Sequence, residues 1–302
     1  MNCIGRIAVV LALAGCAGAA CGAPRDWPDA LSGRLAHIKE TRLVRLGYRE
    51  NAIPFSYLGP DGKPVGYSLD LCQAIVATIA EELGEPALGI DYVHVTAQDR
   101  IERVVSGAVD LECGSTTNTA ERRRLVAFSP VIFVTGTRIA VVKGSRVRSV
   151  GDLRSRSIAV VLGTTNEAAM RAIDRLRNLS LTLVATDDYR SALALLTEGK
   201  VEALAADEVL LRGLLAETGK GRDVRIVGEM LSFEPYGIVY PRDDAALADA
   251  VERALRGLAE SREIAWIYER WFVRPLPSGQ RLDLPMGPQL RRSLELIGLP
   301  PD

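Results

Sequence analysis

From residue 43 onward, short apolar runs alternate with amphipathic stretches of helical period, and this alternation restricts the fold more than any other feature of the chain. Residues 43–47, 90–95 and 109–113 read as strands, with helices at 67–83 and 98–106 between them, a βαβαβ series. Strands joined by helices run parallel, and a parallel sheet must be covered on both faces. A second series follows, with strands at 138–143, 157–162, 181–185, 201–206 and 224–227 and helices at 165–176, 189–198 and 208–217. One more strand at 236–240 and helices at 244–260 and 262–272 precede Pro275 and Pro277, which stop the periodicity. The stretch up to about residue 40 is a polar lead-in, and the tail from 277 is expected to wrap the surface or stay partly loose.

Two such series, linked by extended runs near 131–141 and 230–239, predict an α/β chain of two lobes. Each lobe holds a mixed, mainly parallel sheet, and a two-strand hinge joins them. The expected boundaries are 41–135 plus 236–275 for lobe 1, 136–235 for lobe 2 and 276–302 for the tail. A ligand is expected between the lobes.

Charge removes several functions. With 37 Lys and Arg against 38 Asp and Glu, the net charge is −1, so no global basic field exists to hold nucleic acid. No HExxH, G-x-S-x-G, P-loop or paired CxxC occurs, so metal sites, serine-type hydrolysis and cofactors are not expected. The two histidines, His37 and His94, read as structural.

Arg6, an apolar run at 7–14, Gly15 and Cys16 have the form of an export signal, placed at residues 1–23, and the run is too short to span a bilayer. The sequence Leu13, Ala14, Gly15, Cys16 resembles a lipobox, whose cysteine is acylated; cleavage among the small residues 17–23 is the other reading. Both predict a periplasmic protein. Of five cysteines, Cys3, Cys16 and Cys21 lie in or beside the signal and only Cys72 and Cys113 in the body. Two thiols in an oxidising compartment suggest one bridge, with two buried free cysteines as the alternative.

Residues just after the strands are the candidate ligand groups, because ligands of open α/β sheets sit beyond the carboxyl ends of the strands. In the first series these are Arg49, Arg100, the turn Gly114, Ser115, Thr116, Thr117, and Arg122. Free backbone N–H groups, hydroxyls and a guanidinium together suit a carboxylate. The second series offers Gly163, Thr164, Thr165 and Asn166 at a helix start, and Asp207, which could receive an ammonium. Each has a plainer reading: Arg122, Arg123 and Arg124 as a solvated helix start, Thr164 and Thr165 as an N-cap, Asp207 as a helix-dipole partner. Their shared position at one end of the strands favours a zwitterion site.

The stretches GYRENAIPFSYLGPDGKPVGYSLDLCQAIV (47–76), LECGSTTNTAERR (111–123) and FVTGTRIAVVKGS (133–145) resemble the solute-binding proteins of bacterial glutamate/aspartate ABC importers, within solute-binding protein family 3. The resemblance runs from about residue 43 to 271 and implies the type II periplasmic binding protein fold. It implies a monomeric, non-enzymatic receptor that captures an acidic amino acid and delivers it to a membrane permease. On matching positions, Arg122, Ser115, Thr117 and Thr165 would hold the α-carboxylate, Asp207 the α-ammonium, and Arg49 and Arg100 the side-chain carboxylate. Two positions depart from the family: Ala97 replaces a usual serine, and Asp188 lies near a usual histidine. An ionised Asp188 in the pocket would repel a second carboxylate, so it faces away, or Tyr189 takes its slot, or the ligand differs. A cyclohexadienyl dehydratase-like enzyme, with Glu112 or Glu234 as acid/base, and a binding protein for a different amino acid are the competing readings.

Overall fold

The computed structural model describes residues 33–301. The expected signal segment and Cys16 lie outside them. The described elements are helices α1 (Gly33–Thr41), α2 (Tyr67–Leu83), α3 (Arg100–Val105), α4 (Thr165–Arg177), α5 (Tyr189–Thr197), α6 (Glu208–Thr218), α7 (Ala245–Glu260), α8 (Glu263–Phe272) and α9 (Pro288–Glu295). The strands are β1 (Leu43–Tyr48), β2 (Asn51–Ala52), β3 (Ser56–Leu58), β4 (Pro64–Val65), β5 (Gly89–His94), β6 (Leu111–Glu112), β7 (Val126–Phe128), β8 (Phe133–Thr135), β9 (Thr137–Val142), β10 (Ser157–Val161), β11 (Thr182–Thr186), β12 (Ala203–Asp207), β13 (Val224–Val227), β14 (Glu234–Tyr236) and β15 (Val239–Pro241).

Two five-stranded sheets of matching design carry the chain. The first has the order β5-β1-β6-β15-β7 and the second β11-β10-β12-β9-β13. In each, the first three strands are parallel, as their helical crossovers require, and the fourth is antiparallel to both neighbours. The antiparallel strand is the one delivered by the hinge. β8 leads into β9, β14 leads back into β15, and β8 and β14 pair antiparallel, with Glu234 opposite Thr135 and Tyr236 opposite Phe133. The two crossing strands expected from the sequence are therefore present.

The helices bury one face each. α2 buries Leu69, Leu71, Cys72, Ile75, Val76 and Ile79 between α7, α8 and β1 and ends at Gly84, whose left-handed φ of 66° closes the last turn. In the second lobe Ile139, Val141, Ile158, Val160, Met170 and Ala203 form a continuous core. At the hinge Phe55, Phe133, Tyr236 and Phe272 pack with ring centroids 4.8–6.1 Å apart, giving the crossing strands an aromatic seat.

One end of the chain goes beyond expectation, and the other takes the first of its two readings by wrapping the surface. The polar lead-in forms α1, because Leu35 and Ile38 find buried positions and the Asp244 carboxylate accepts the Arg34 N–H at 2.7 Å. The tail is not loose. Leu282, Leu290, Leu294 and Leu299 are buried, the Leu284 N–H donates to the Phe272 carbonyl at 2.9 Å, and α9 packs beside β8. Sparse leucines between prolines carry no periodic signal, and only the tertiary surface they cover reveals their use.

Candidate functional site

The hydroxyl-rich turn after β6 is built before any ligand is considered. The Cys72 and Cys113 sulfurs are bonded, tying α2 to the end of β6 with Cα atoms 6.3 Å apart. One turn earlier on α2, the Ser68 hydroxyl donates to the Gly114 carbonyl at 2.8 Å. On its far side the turn docks on the hinge: the Asn118 N–H donates to the Pro235 carbonyl at 2.8 Å, and Thr117 bridges Tyr236. A Cβ at Gly114 would stand 2.3 Å from Glu112 Oε1 and 3.2 Å from Arg49 Cγ, so glycine lets the two side chains approach the turn without displacement. The Glu112 carboxylate thus folds back beneath the turn, fully buried and without a hydrogen-bond donor among the described residues.

The three predicted arginines gather here. Arg49 follows β1 and Arg100 begins α3; both are buried, at 3% and 2% exposure. An Nη–H of Arg49 and the Nε–H of Arg100 have no acceptor, and the one described side-chain bond of Arg100 is a long 3.5 Å contact to the Ser115 carbonyl. Arg122 sits in a 3-10 turn with Arg123 and Arg124, which face solvent. It alone of the three turns inward, donating to the Thr117 carbonyl at 2.9 Å and across the cleft to the Gly163 carbonyl at 3.2 Å. Burial, followed by the like charge of Arg100, lowers the pKa of Arg49 and brings that of Arg122 down to about 10. Guanidiniums that lose hydration and repel one another are stabilised by an entering anion.

The second lobe answers with a carboxylate and hydroxyls. Asp207, the last residue of β12, accepts from Asn166 Nδ2 at 2.8 Å and from the Tyr236 hydroxyl in a short contact. Burial pushes its carboxyl up to about 7, Glu234 adding to the rise and the two hydrogen bonds opposing it. Thr164 caps α4, accepting the Glu167 N–H at 3.2 Å, so the capping reading holds for Thr164. Thr165 instead faces Thr117, hydroxyl to hydroxyl at 3.3 Å, and donates to Glu234 at 2.7 Å.

Asp188 requires a correction. Its carboxylate caps α5, accepting the Ser191 N–H at 2.9 Å and the Ser191 hydroxyl at 3.0 Å, so it does not join the cluster. A short polar side chain preceding a helix is consumed by the orphan N–H groups there. The next residue, Tyr189, is buried instead, its hydroxyl pushed up to about 12 by burial and the Asp207 charge, within the fields of Arg49 and Arg100. Ala97 is buried where the lobes touch: a Cβ on Gly163, whose φ is +73°, would lie 2.8 Å from the Ala97 carbonyl. Two further participants escaped sequence reading as ligand-site residues, Tyr236 and Glu234, the latter considered only as an acid/base. Asn166 had its place beside Thr165 as a signal, whereas Tyr236 and the Glu234 link to Thr165 and Ser232 arise from hinge geometry. His94 is exposed beside Glu50 at 3.9 Å and His37 contacts Arg45 at 3.2 Å, and neither shares a described bond with these residues. Among the described residues no group of three or more His, Cys, Asp or Glu is arranged to hold a metal ion.

Three comparisons bear on this site. A protein from Pseudomonas aeruginosa described as an L-glutamate/L-aspartate-binding protein is 38% identical over 276 residues, covering 91% of this chain and 90% of its own. A glutamate/aspartate import solute-binding protein from Escherichia coli K12 is 32% identical over 268 residues, covering 89% and 88%. Among solved structures, an ancestral amino acid-binding protein described as a precursor of cyclohexadienyl dehydratase superposes with a TM-score of 0.68 at 25% identity, covering 79% of this chain and 99% of that one. The family profile of the bacterial extracellular solute-binding proteins, family 3, matches residues 44–274. With its two hinged sheets and facing strand ends, the chain belongs to that family.

Proposed function

We propose that the protein is a periplasmic receptor that closes over glutamate or aspartate without chemical turnover and presents it to the membrane permease of an ABC importer. The observation that carries this reading is the burial of Arg49 and Arg100 beside Arg122, with N–H groups left unsatisfied, opposite a carboxylate on the other lobe. Arg122, Ser115, Thr117 and Thr165 take the α-carboxylate, for which a partly buried guanidinium and hydroxyls from both lobes are suited. Asp207 takes the α-ammonium. Arg49 and Arg100 take the side-chain carboxylate, the feature that selects an acidic ligand over its amide.

The dehydratase-like alternative needs a carboxyl group free to exchange protons with substrate. Glu234 is occupied by Thr165 and by Ser232 at 2.6 Å, and Glu112 lies beneath the Gly114 turn. Export proceeds through the N-terminal segment, and mass spectrometry of the mature N-terminus separates acylation of Cys16 from cleavage further along. Calorimetric titration with a panel of amino acids tests the receptor function. Saturable binding of glutamate and aspartate, with glutamine at least about tenfold weaker, and no loss of prephenate or arogenate on incubation is the expected result. Tighter binding of glutamine, or consumption of either cyclic acid, overturns it.

A further inference from the structure

A hollow of about 800 Å³ lies outside the cleft, on the edge of the second sheet, and five arginines line it. Arg138 comes from β9, Arg212 from α6, Arg222 and Arg225 from the turn into β13 and from β13 itself, and Arg281 from the C-terminal tail. Two carboxylates offset them. Glu208 pairs with Arg138 at 3.2 Å and with Arg212 at 2.6 Å, and Asp283 pairs with Arg281 at 3.1 Å. The neighbouring acids are engaged elsewhere, Asp223 with Lys220 at 3.7 Å and Glu229 with Arg177 at 3.3 Å. The wall therefore keeps an excess of positive charge in a chain whose net charge is −1.

Several of these guanidiniums are held in place. Arg138 donates to the Gly228 carbonyl at 2.7 Å and Arg225 to the Ser145 carbonyl at 2.8 Å, while the Nε–H of each is buried without an acceptor. Like charges crowded on one concave wall repel each other, and an anion entering the hollow relieves that repulsion. A single carboxylate has too little charge and too few oxygens to meet guanidiniums arriving from a strand, a helix and a tail. A phosphoryl group presents oxygens in every direction, and forked guanidiniums match them in pairs.

We infer that this hollow is a second binding site, for a phosphate-bearing anion, independent of the amino-acid cleft. Gln280, Arg281 and Leu282 line it from the tail, which leaves the first lobe after α8, so a bound anion ties that tail to the second lobe.

Pyrophosphate titrated calorimetrically into the protein at about 0.1 M salt, and sedimentation with phosphatidylcholine vesicles with and without phosphatidylglycerol, distinguish a soluble phosphate compound from a lipid headgroup. The variant carrying Arg222→Ala and Arg281→Ala alters exposed side chains only and should keep its thermal midpoint. Saturable pyrophosphate binding weakened about tenfold or more in the variant supports the site with a soluble ligand. Sedimentation that requires phosphatidylglycerol and disappears in the variant supports it with a headgroup. Neither probe binding, or binding equal in both proteins, overturns it.

Discussion

The two lobes are built alike but bring opposite charges to the cleft between them. Each sheet sets three parallel strands beside one antiparallel strand from the hinge, and each offers its strand ends to the other. The first brings Arg49, Arg100 and Arg122; the second brings Asp207 with Asn166, Thr165 and Tyr189. They also stabilise their loops differently. The turn of the first lobe is fastened by the Cys72–Cys113 bond and Ser68, whereas the second relies on helix caps at Thr164 and Asp188 and on glycines that let it approach. A duplicated scaffold thus supplies position, and the division of charge across the hinge makes ligand capture depend on closure.

The largest effect that can break this comparison is at Arg122, which already reaches across the cleft. Arg122→Ala should cost about 2–5 kcal/mol of binding free energy, because a buried carboxylate loses its charged partner. Titration within about twofold of wild type would remove Arg122 from the site. The tether comes next. Cys113→Ser opens a covalent loop spanning 41 residues of sequence separation and should lower stability by roughly 2–4 kcal/mol, read from chemical denaturation. An unchanged midpoint would mean that hydrogen bonds hold the turn of the first lobe as they do in the second.

Gly213→Ala sharpens the comparison further. A Cβ there would stand 2.3 Å from the Ile53 carbonyl oxygen of the first lobe, while within α6 alanine is the better helix former. The variant should match or exceed wild-type stability yet bind on the order of tenfold more weakly, since overpacking opposes closure. Equal affinity would make this contact a fixed part of the junction. The smallest effect is that of pH. Because the Asp207 carboxyl is raised to about 7, the unliganded site holds a proton below that pH, and pairing with an ammonium must expel it. Affinity should be flat above about pH 7 and fall by up to about tenfold per unit below it. Titration at pH 6 in buffers of different ionisation enthalpy counts the released proton, and its absence would place the ammonium elsewhere.

Most strand and helix positions followed from periodicity, as did the location of Arg49, Arg100, Arg122, Thr165 and Asp207 at strand ends. Asp188 and Tyr189 show where that reasoning stops. Adjacent at one helix start, they differ in role because the cap geometry consumes the carboxylate and turns the ring inward. No linear spacing encodes that choice.

What the sequence determined by itself was the alternation that makes two sheets, the strand-end chemistry, and the composition that excludes a polyanion-binding surface spread over the whole molecule. What the tertiary structure decided were the partners: Tyr236 and Asn166 on Asp207, Glu234 between Thr165 and Ser232, the buried tail, and the arginine hollow. The first set depends on short-range periodicity, which each segment carries alone. The second depends on residues distant in the chain that meet only once the hinge folds the lobes together, with hydrogen bonds and charges whose strength depends on that shared burial.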